Sequence, residues 1–343
     1  MSALLIQTAL AGIVLFAVIN FAALHTWLER KQSAVMQDRI GANRASIFGI
    51  RLLGLFHPLA DAIKMFTKED YIPPRGDKLL HTLAPFISMT FALVSFAAIP
   101  FGDILRIGDL EIPLQVAPIN VGLLYVFAMM SMGVYGVILA GFSSNNNYAF
   151  LGGMRASSQM LAYEITLGAT IVGIVMTYGT LDLQEIVRRQ GDHILGWGFL
   201  AQPLGLFLFL VAGIAETKRI PYDIPEGESE IIGYFVEYSG MKFGMFYFVD
   251  FLETILIACL TTTLFFGGWQ VPFLGAFNPP HWGVVLLQAG SFVLKVSFFC
   301  WLFMTIRWTL PRFRYDQLMN LGWKIVFPLS LLNLLLTSAV LLI

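Results

Sequence analysis

Residues 215–238 read AETKRIPYDIPEGESEIIGYFVEY, an acidic segment enclosed between two stretches apolar enough to be lipid-buried helices. Only Lys218 and Arg219 offset its carboxylates. Its six acidic residues are Glu216, Asp223, Glu226, Glu228, Glu230 and Glu237. The apolar stretches of the chain carry four further ionisable groups, Glu164, Asp250, Glu253 and Lys295. Ionisable groups at membrane depth are costly and by default mark an ion or proton path. The chain is therefore predicted to move charge, or to couple another process to charge movement.

The composition predicts an all-α, polytopic membrane protein. Of the residues, 57% are hydrophobic and 13% are charged, and the mean hydropathy is +0.74, which is typical of membrane proteins. A net charge of -1 without a basic stripe gives no footprint for nucleic acid. The two cysteines, Cys259 and Cys300, lie singly in apolar segments, so neither a metal site nor a disulfide framework is expected. Any redox centre should therefore lie in another subunit.

Eight stretches are long and apolar enough to span a membrane, for which about 20 residues suffice. They lie near 3–28, 79–101, 118–142, 158–179, 198–217, 242–267, 282–306 and 322–343. The loops after the odd-numbered spans carry all of the 21 Lys and Arg residues except Arg106, Arg188, Arg189 and Lys295. This bias predicts that these loops are cytoplasmic and that both termini are on the opposite side. We expect one integral membrane domain over 1–343, with functional cytoplasmic loops at about 29–78, 216–241 and 307–321.

A short amphipathic helix is predicted within the first of these loops. The sequence PLADAIKMF (58–66) places Leu59, Ile63 and Phe66 on one helical face, with Asp61 and Lys64 off that face. This pattern is typical of a helix lying in the membrane interface. Such a helix could border a lateral opening for a lipid-soluble molecule.

Six long runs, in order along nearly the whole chain, match a known family. They are LERKQSAVMQDRIGANR (28–44), PLADAIKMFTKED (58–70), RASSQMLAYEITLG (155–168), AETKRIPYDIPEGESE (215–230), EYSGMKFGMF (237–246) and PRFRYDQLMNLGWK (311–324). The chain thus resembles the H subunit of bacterial NADH:quinone oxidoreductase, respiratory complex I, called subunit 1 in the mitochondrial enzyme. The resemblance implies an eight-helix subunit at the junction of the peripheral redox arm and the proton-pumping membrane arm. Such a subunit encloses part of a quinone cavity, from which a line of acidic residues leads into the membrane.

The resemblance also implies substrate, partners and location. Quinone is expected as substrate, with no cofactor bound by this chain alone and no metal site. Flavin and iron-sulfur clusters are expected in partner subunits. The expected partners are the redox-arm and proton-pump subunits of complex I, together with membrane lipid and quinone. We expect a multi-pass protein of the bacterial inner membrane with both termini periplasmic, in preference to an organelle inner membrane.

Residue roles follow from the resemblance position by position. Proton or charge coupling is assigned to Glu164, Glu216, Asp223, Glu226, Glu228, Glu230, Glu237, Asp250 and Glu253. Lining of the quinone cavity is assigned to Arg30, Arg39, Asp61, Lys64 and Arg307. The chain also departs from the family pattern, since Asp250-Phe251 replaces the usual Glu-Tyr and Glu253 follows about one helical turn later. The segment from Arg44 to Asp61 is five residues longer than usual.

Several alternatives stay open on the sequence alone. Glu164 can act on the charge path or be a neutral, hydrogen-bonded acid that fixes helix packing. Asp250 and Glu253, three residues apart on one helical face, can share a proton or pair with Lys295. Two rival functions also remain, a membrane subunit of a related hydrogenase or ferredoxin-linked ion-pumping complex, and a stand-alone proton-coupled transporter. The transporter should show inverted repeats, and none is visible.

Overall fold

The structure, a computed structural model, describes residues 2–107, 110–225, 227, 230–231, 233–272 and 281–342. Within these ranges the chain is predominantly helical, as predicted. The helices are α1 (Ser2–Met36), α2 (His57–Thr67), α3 (Lys78–Val94), α4 (Gly122–Ser143), α5 (Asn147–Tyr178), α6 (Leu183–Gln190), α7 (Gly198–Ala201), α8 (Pro203–Glu216), α9 (Gly240–Phe265), α10 (His281–Thr309), α11 (Tyr315–Leu321) and α12 (Phe327–Leu341). A π-helical turn, Gly322–Val326, joins α11 to α12. An antiparallel pair of strands, β1 (Ile104–Ile107) and β2 (Leu110–Pro113), was not predicted.

Seven helices in the described part of the chain are long and apolar enough to cross a membrane, against the eight predicted. The difference lies at 198–217, where the apolar run is divided into α7 and α8. Gln202 separates these helices, and its Nε2 donates to Oγ1 of Thr337 at 2.7 Å. Its Oε1 accepts from Asn333 at 2.9 Å. The 14 residues of α8 span about 21 Å, less than the roughly 30 Å of a hydrocarbon core.

Local sequence signals account for several helix ends. The side chain of Asp77 accepts hydrogen bonds from the backbone N–H groups of the first turn of α3, and Asn146 caps α5 in the same way. Pro58 occupies the first turn of α2, where its missing N–H costs nothing. Gly179 ends α5 in the left-handed conformation, with φ of 66°.

Helix α9 lies at the centre of the bundle. Every residue from Val249 to Phe265 is buried, and α9 packs against α1, α2, α3, α8 and α10. A helix that is apolar and buried on all sides belongs to the interior of a bundle. Asp250 and Glu253, which α9 carries, therefore face protein and not lipid.

The helix predicted over 58–66 is α2, which has no buried residue. Its apolar side chains Leu59, Ile63 and Phe66 are exposed. It packs against α1 and α9 beside the connection from α8 to α9. The longest cytoplasmic loop of the prediction and the acidic segment thus meet at one end of the bundle.

Candidate functional site

A buried lysine connects the two acids of α9. The Nζ atom of Lys218 lies 3.2 Å from Oδ1 of Asp250 and 3.3 Å from Oε2 of Glu253. All three residues are buried, and Lys218 is only 1% exposed. Buried charges are retained in proteins when they are paired in this way.

Lys218 reaches these acids from the loop that follows α8. Its φ of 55° is unusual for a residue with a side chain, and it turns the chain back toward α9. Burial alone would lower the pKa of Lys218, but its interactions with Glu253, Tyr234 and Asp250 outweigh burial and raise the pKa well above its ordinary value. The ammonium form is therefore favoured.

Glu216, the last residue of α8, lies next to this cluster and is 1% exposed. Among the described residues, neither of its carboxyl oxygens has a hydrogen-bond partner. The charges of Glu253, Glu164 and Lys218 all act on it. Glu216 thus interacts electrostatically with both the lysine cluster and the acid of α5.

Glu164 lies half-buried on α5 and accepts a hydrogen bond from Oγ of Ser131 on α4. This is the hydrogen bond that is expected if Glu164 is a neutral acid that fixes helix packing. It also provides the neighbouring acid that a charge path requires, since Glu164 interacts electrostatically with Glu216. The two interpretations of Glu164 are compatible.

A second buried cluster joins α1, the acidic segment and α10. Glu29 is 7% exposed and pairs with Arg219 at 3.0 Å and with Arg307. The guanidinium of Arg219 also lies over the ring of Phe251, 3.9 Å from its centroid, in cation–π geometry. Arg219 acts electrostatically on Glu253, so the two clusters are continuous.

The remainder of the acidic segment is held by basic and polar side chains at the bundle surface. Glu230 pairs with Arg155 at 2.7 Å, and Arg312 lies 3.9 Å away. Glu237 accepts from Nδ2 of Asn146 at 2.7 Å. The backbone carbonyl of Asp223 accepts from Nε of Arg312 at 2.8 Å. Glu226 and Glu228, which are also predicted site residues, lie outside the described residues.

A cavity of about 520 Å³ opens between α1, α2, α3 and α9. Three of the predicted lining residues, Arg30, Asp61 and Lys64, border it, and Arg30 forms an ion pair with Asp61. Most of the other lining side chains are apolar, including Met65 and Phe248. A mostly apolar cavity with a few polar groups is typical of a small-molecule site.

Two of the predicted lining residues lie elsewhere. Arg39 lies beyond the end of α1, where its Nε donates to Gln37 at 2.7 Å. Arg307 belongs to the buried cluster around Glu29. Tyr247 links the two regions, because it lines the cavity and interacts electrostatically with Glu29.

A smaller cleft, of about 390 Å³, lies on the opposite face of α1 against α10. Its lining includes Phe21, His25 and Cys300. His25 is 1% exposed, and its ring packs edge-on against Phe251 with centroids 5.5 Å apart. This is the packing role that a lone histidine on an apolar helix most often has.

Lys295 does not pair with Asp250 or Glu253. Its Nζ donates to the backbone carbonyls of Phe266, Gly268 and Gln270 at 2.7 to 3.0 Å. The side chain therefore caps the C-terminal end of α9, where orphan carbonyls favour a cation. The lysine that pairs with the two acids is Lys218.

The roles of Lys218, Arg219 and Glu29 were not predicted from the sequence. In the sequence, Lys218 and Arg219 are simply the two bases among six acids. Glu29 is simply the first charged residue after the first apolar stretch. One signal was available, because bases embedded in a buried acidic segment are expected to compensate its charge. In the described ranges, no three His, Cys, Asp or Glu side chains converge as metal ligands.

Comparison with known proteins gives a match over nearly the whole chain. The model of the NADH dehydrogenase family matches residues 8–338. An H subunit of the NADH-quinone oxidoreductase of Cytophaga hutchinsonii is 45% identical over 341 residues, covering 99% of this chain and 98% of that protein. The H subunit of the Thermomicrobium roseum enzyme is 44% identical over 345 residues, covering 98% and 96%. An H subunit of the Geobacter sulfurreducens enzyme is 44% identical over 337 residues, again covering 98% and 96%.

Proposed function

The chain belongs to the NADH dehydrogenase family, as a membrane subunit of NADH-quinone oxidoreductase of the H type, and we propose that its buried charged residues couple quinone reduction to proton pumping. We call these residues the charged row. They are Glu29, Arg219, Arg307, Lys218, Asp250, Glu253, Glu216 and Glu164. The other subunits of the same complex are its partners.

The observation that carries the proposal is the contact of Lys218 with both Asp250 and Glu253. It joins the cluster around Glu29, next to the large cavity, to Glu216 and Glu164 further along the bundle. Among the described residues, Lys218 is the cation that forms ion pairs with the two acids of α9. With it, charged groups follow one another from the cavity wall to α5.

The cavity of about 520 Å³ is proposed as the lateral access route for quinone. It opens beside the amphipathic helix α2, where a lipid-soluble molecule can pass from the bilayer between α1 and α9. Arg30, Asp61 and Lys64 supply its polar groups. The headgroup would then move toward a site contributed mainly by a partner subunit of the redox arm.

Reduction of a quinone adds negative charge and requires protons. The arginines around Glu29 would respond to that charge first, since Glu29, Arg219 and Arg307 all act electrostatically on the cavity residue Tyr247. Lys218 can then shift between its two carboxylates, which lie at nearly equal distances. Such a shift changes the charge that Glu216 experiences.

The cluster around Lys218 holds more acid than base. Glu216, Asp250 and Glu253 supply three carboxyl groups, and Lys218 supplies one ammonium. Uncompensated charge is very costly in a low-dielectric interior, so the cluster is expected to hold bound protons that the neighbouring acids share. Groups that hold and release protons within reach of one another are what proton coupling needs.

Other features of the assembly follow from the same function. Flavin and iron-sulfur clusters are assigned to the redox-arm subunits, and the path beyond Glu164 is assigned to neighbouring proton-pump subunits.

The distribution of Lys and Arg supports a periplasmic position of both termini in a bacterial inner membrane. Of the functions left open by the sequence, the relatives named above support neither a stand-alone transporter nor a membrane component of a hydrogenase.

The proposal is tested by replacing Lys218 in the whole complex. In Lys218→Met, we expect NADH oxidation with an artificial acceptor at the redox arm to persist, while quinone-linked turnover falls by about tenfold or more, because positioned proton-transfer groups typically contribute about 100-fold or more. The matched control is Lys324→Met, since Lys324 is exposed at the same end of the bundle. Normal quinone-linked turnover and pumping in a well-assembled Lys218→Met complex would contradict the proposal.

A further inference from the structure

The segment between α1 and α2 exposes a run of apolar side chains at the edge of the molecule. Phe48 is fully exposed, and Ile50 and Leu53 are more than half exposed. The proposed function assigns this segment no role. An exposed apolar run of this kind marks a surface that contacts a partner or a membrane.

Phe48 lies at the tip of a tight turn in an unfavourable conformation. Ile47 and Ile50 exchange two backbone hydrogen bonds, of 3.2 and 3.0 Å, and the two residues between them have positive φ. The φ angles are 49° at Phe48 and 83° at Gly49. Two-residue loops of this type favour Asn-Gly, and a bulky residue with positive φ is strained. Such strain persists where the surroundings stabilise it, so the aromatic tip is expected to have a contact beyond this chain.

The position of this segment along α1 indicates that the exposed side chains contact the membrane. Nε1 of Trp27 donates to the carbonyl of Leu53 at 3.2 Å, which fixes the segment beside α1 at residue 27. At that point the apolar sequence of α1 gives way to Glu29-Arg30-Lys31. Tryptophan followed by a charged run is typical of the boundary between hydrocarbon and headgroups.

We propose that residues 47–55 form a membrane-inserting tip, with Phe48 in the headgroup and upper acyl region of the bilayer. Arg44 precedes the tip and Arg51 lies within it; both are exposed, and their charge is complementary to that of anionic lipid phosphates. The tip continues directly into α2, whose apolar side chains are also exposed. It therefore anchors the helix that borders the large cavity. This inference does not depend on the proposed function.

Photo-crosslinking in the assembled complex tests the tip. A photoreactive phenylalanine analogue is placed at Phe48, at Phe16 or at Tyr71, and the adducts formed in native membranes are identified by mass spectrometry. Phe16 is 72% exposed in the middle of the α1 span and should give lipid adducts, whereas Tyr71 is 52% exposed in the connection from α2 to α3 and should give few. We expect the analogue at position 48 to give lipid adducts in a yield similar to that at position 16. Adducts of position 48 with another subunit, or a yield no higher than at position 71, would overturn the proposal.

The role of the two arginines is tested in nanodiscs of phosphatidylcholine mixed with phosphatidylglycerol. Adducts at position 48 should contain phosphatidylglycerol above its mole fraction. This enrichment should be lost when Arg44→Gln and Arg51→Gln are combined, while lipid adducts as such remain. Enrichment that survives the double substitution would show that the arginines do not recruit anionic lipid.

Discussion

At the scale of single residues, a substitution of Glu164 tests whether the charged row extends to α5. In Glu164→Gln, the amide can still accept the hydrogen bond from Ser131 but cannot exchange a proton. We therefore expect intact assembly, with quinone-linked turnover and pumping reduced together by about tenfold or more. Both activities are measured in proteoliposomes.

The control for Glu164 is Glu185→Gln, which alters a surface acid on α6 paired with Arg189 one turn away. Exposed pairs of this kind contribute little, so this variant should behave as wild type. Wild-type pumping in a well-assembled Glu164→Gln complex would remove Glu164 from the row.

Asp250 and Glu253 are expected to act together, because Lys218 contacts both. Either single change, Asp250→Asn or Glu253→Gln, leaves the lysine one carboxylate partner, so partial proton-coupled activity should remain. The double change leaves a buried ammonium without its acids, which costs about 3–5 kcal/mol for a broken buried pair. The double variant should therefore lose much more activity and stability than the two single losses combined.

Two further results distinguish joint action of Asp250 and Glu253 from independent action. Adding Lys218→Met to the double variant should restore assembly, followed by native electrophoresis, but not coupled activity. Strictly additive losses in the well-assembled variants would mean that the two acids act independently.

At the scale of elements, the acidic segment between α8 and α9 is expected to show graded effects. Glu230 has a defined partner in Arg155, whereas neighbouring carboxylates can substitute for one another electrostatically. Single Gln changes at Glu226, Glu228 and Glu230 should each lower quinone reductase activity moderately, with the largest effect at Glu230. The triple change should abolish most of it.

The control for this series is Glu111→Gln combined with Glu185→Gln, two surface acids at the opposite end of the bundle. Quinone reductase activity is measured for all variants at equal content of assembled complex. Normal activity in the triple variant would exclude the acidic segment from coupling.

Elements also differ in how far the sequence predicts them. Long apolar runs predicted most helices, and the amphipathic pattern of 58–66 predicted α2. The run 198–217 predicted one spanning helix, whereas Gln202 interrupts it through hydrogen bonds to Thr337 and Asn333. These partners lie more than 130 residues away in the chain, so no local pattern could reveal the interruption.

At the scale of the whole molecule, the charged row depends on how distant segments fold together. The sequence identified the acids of α5, α8 and α9, because carboxylates in apolar runs are conspicuous. It did not identify Lys218 as their cation, because that contact requires a loop to turn back onto the central helix. Lys295, a cation deep within a predicted span, was the more conspicuous candidate, but it caps α9.

The central claim is that quinone reduction changes the protonation or surroundings of the buried acids. Glu216 reports this change most clearly, since its carboxyl group has no hydrogen-bond partner among the described residues. Infrared difference spectroscopy on the purified complex, recorded before and after quinone reduction, detects carboxyl groups that change state. We predict a carboxyl band in the wild-type difference spectrum that persists in Glu185→Gln and disappears in Glu216→Gln. A difference spectrum that is unchanged by Glu216→Gln would contradict the account.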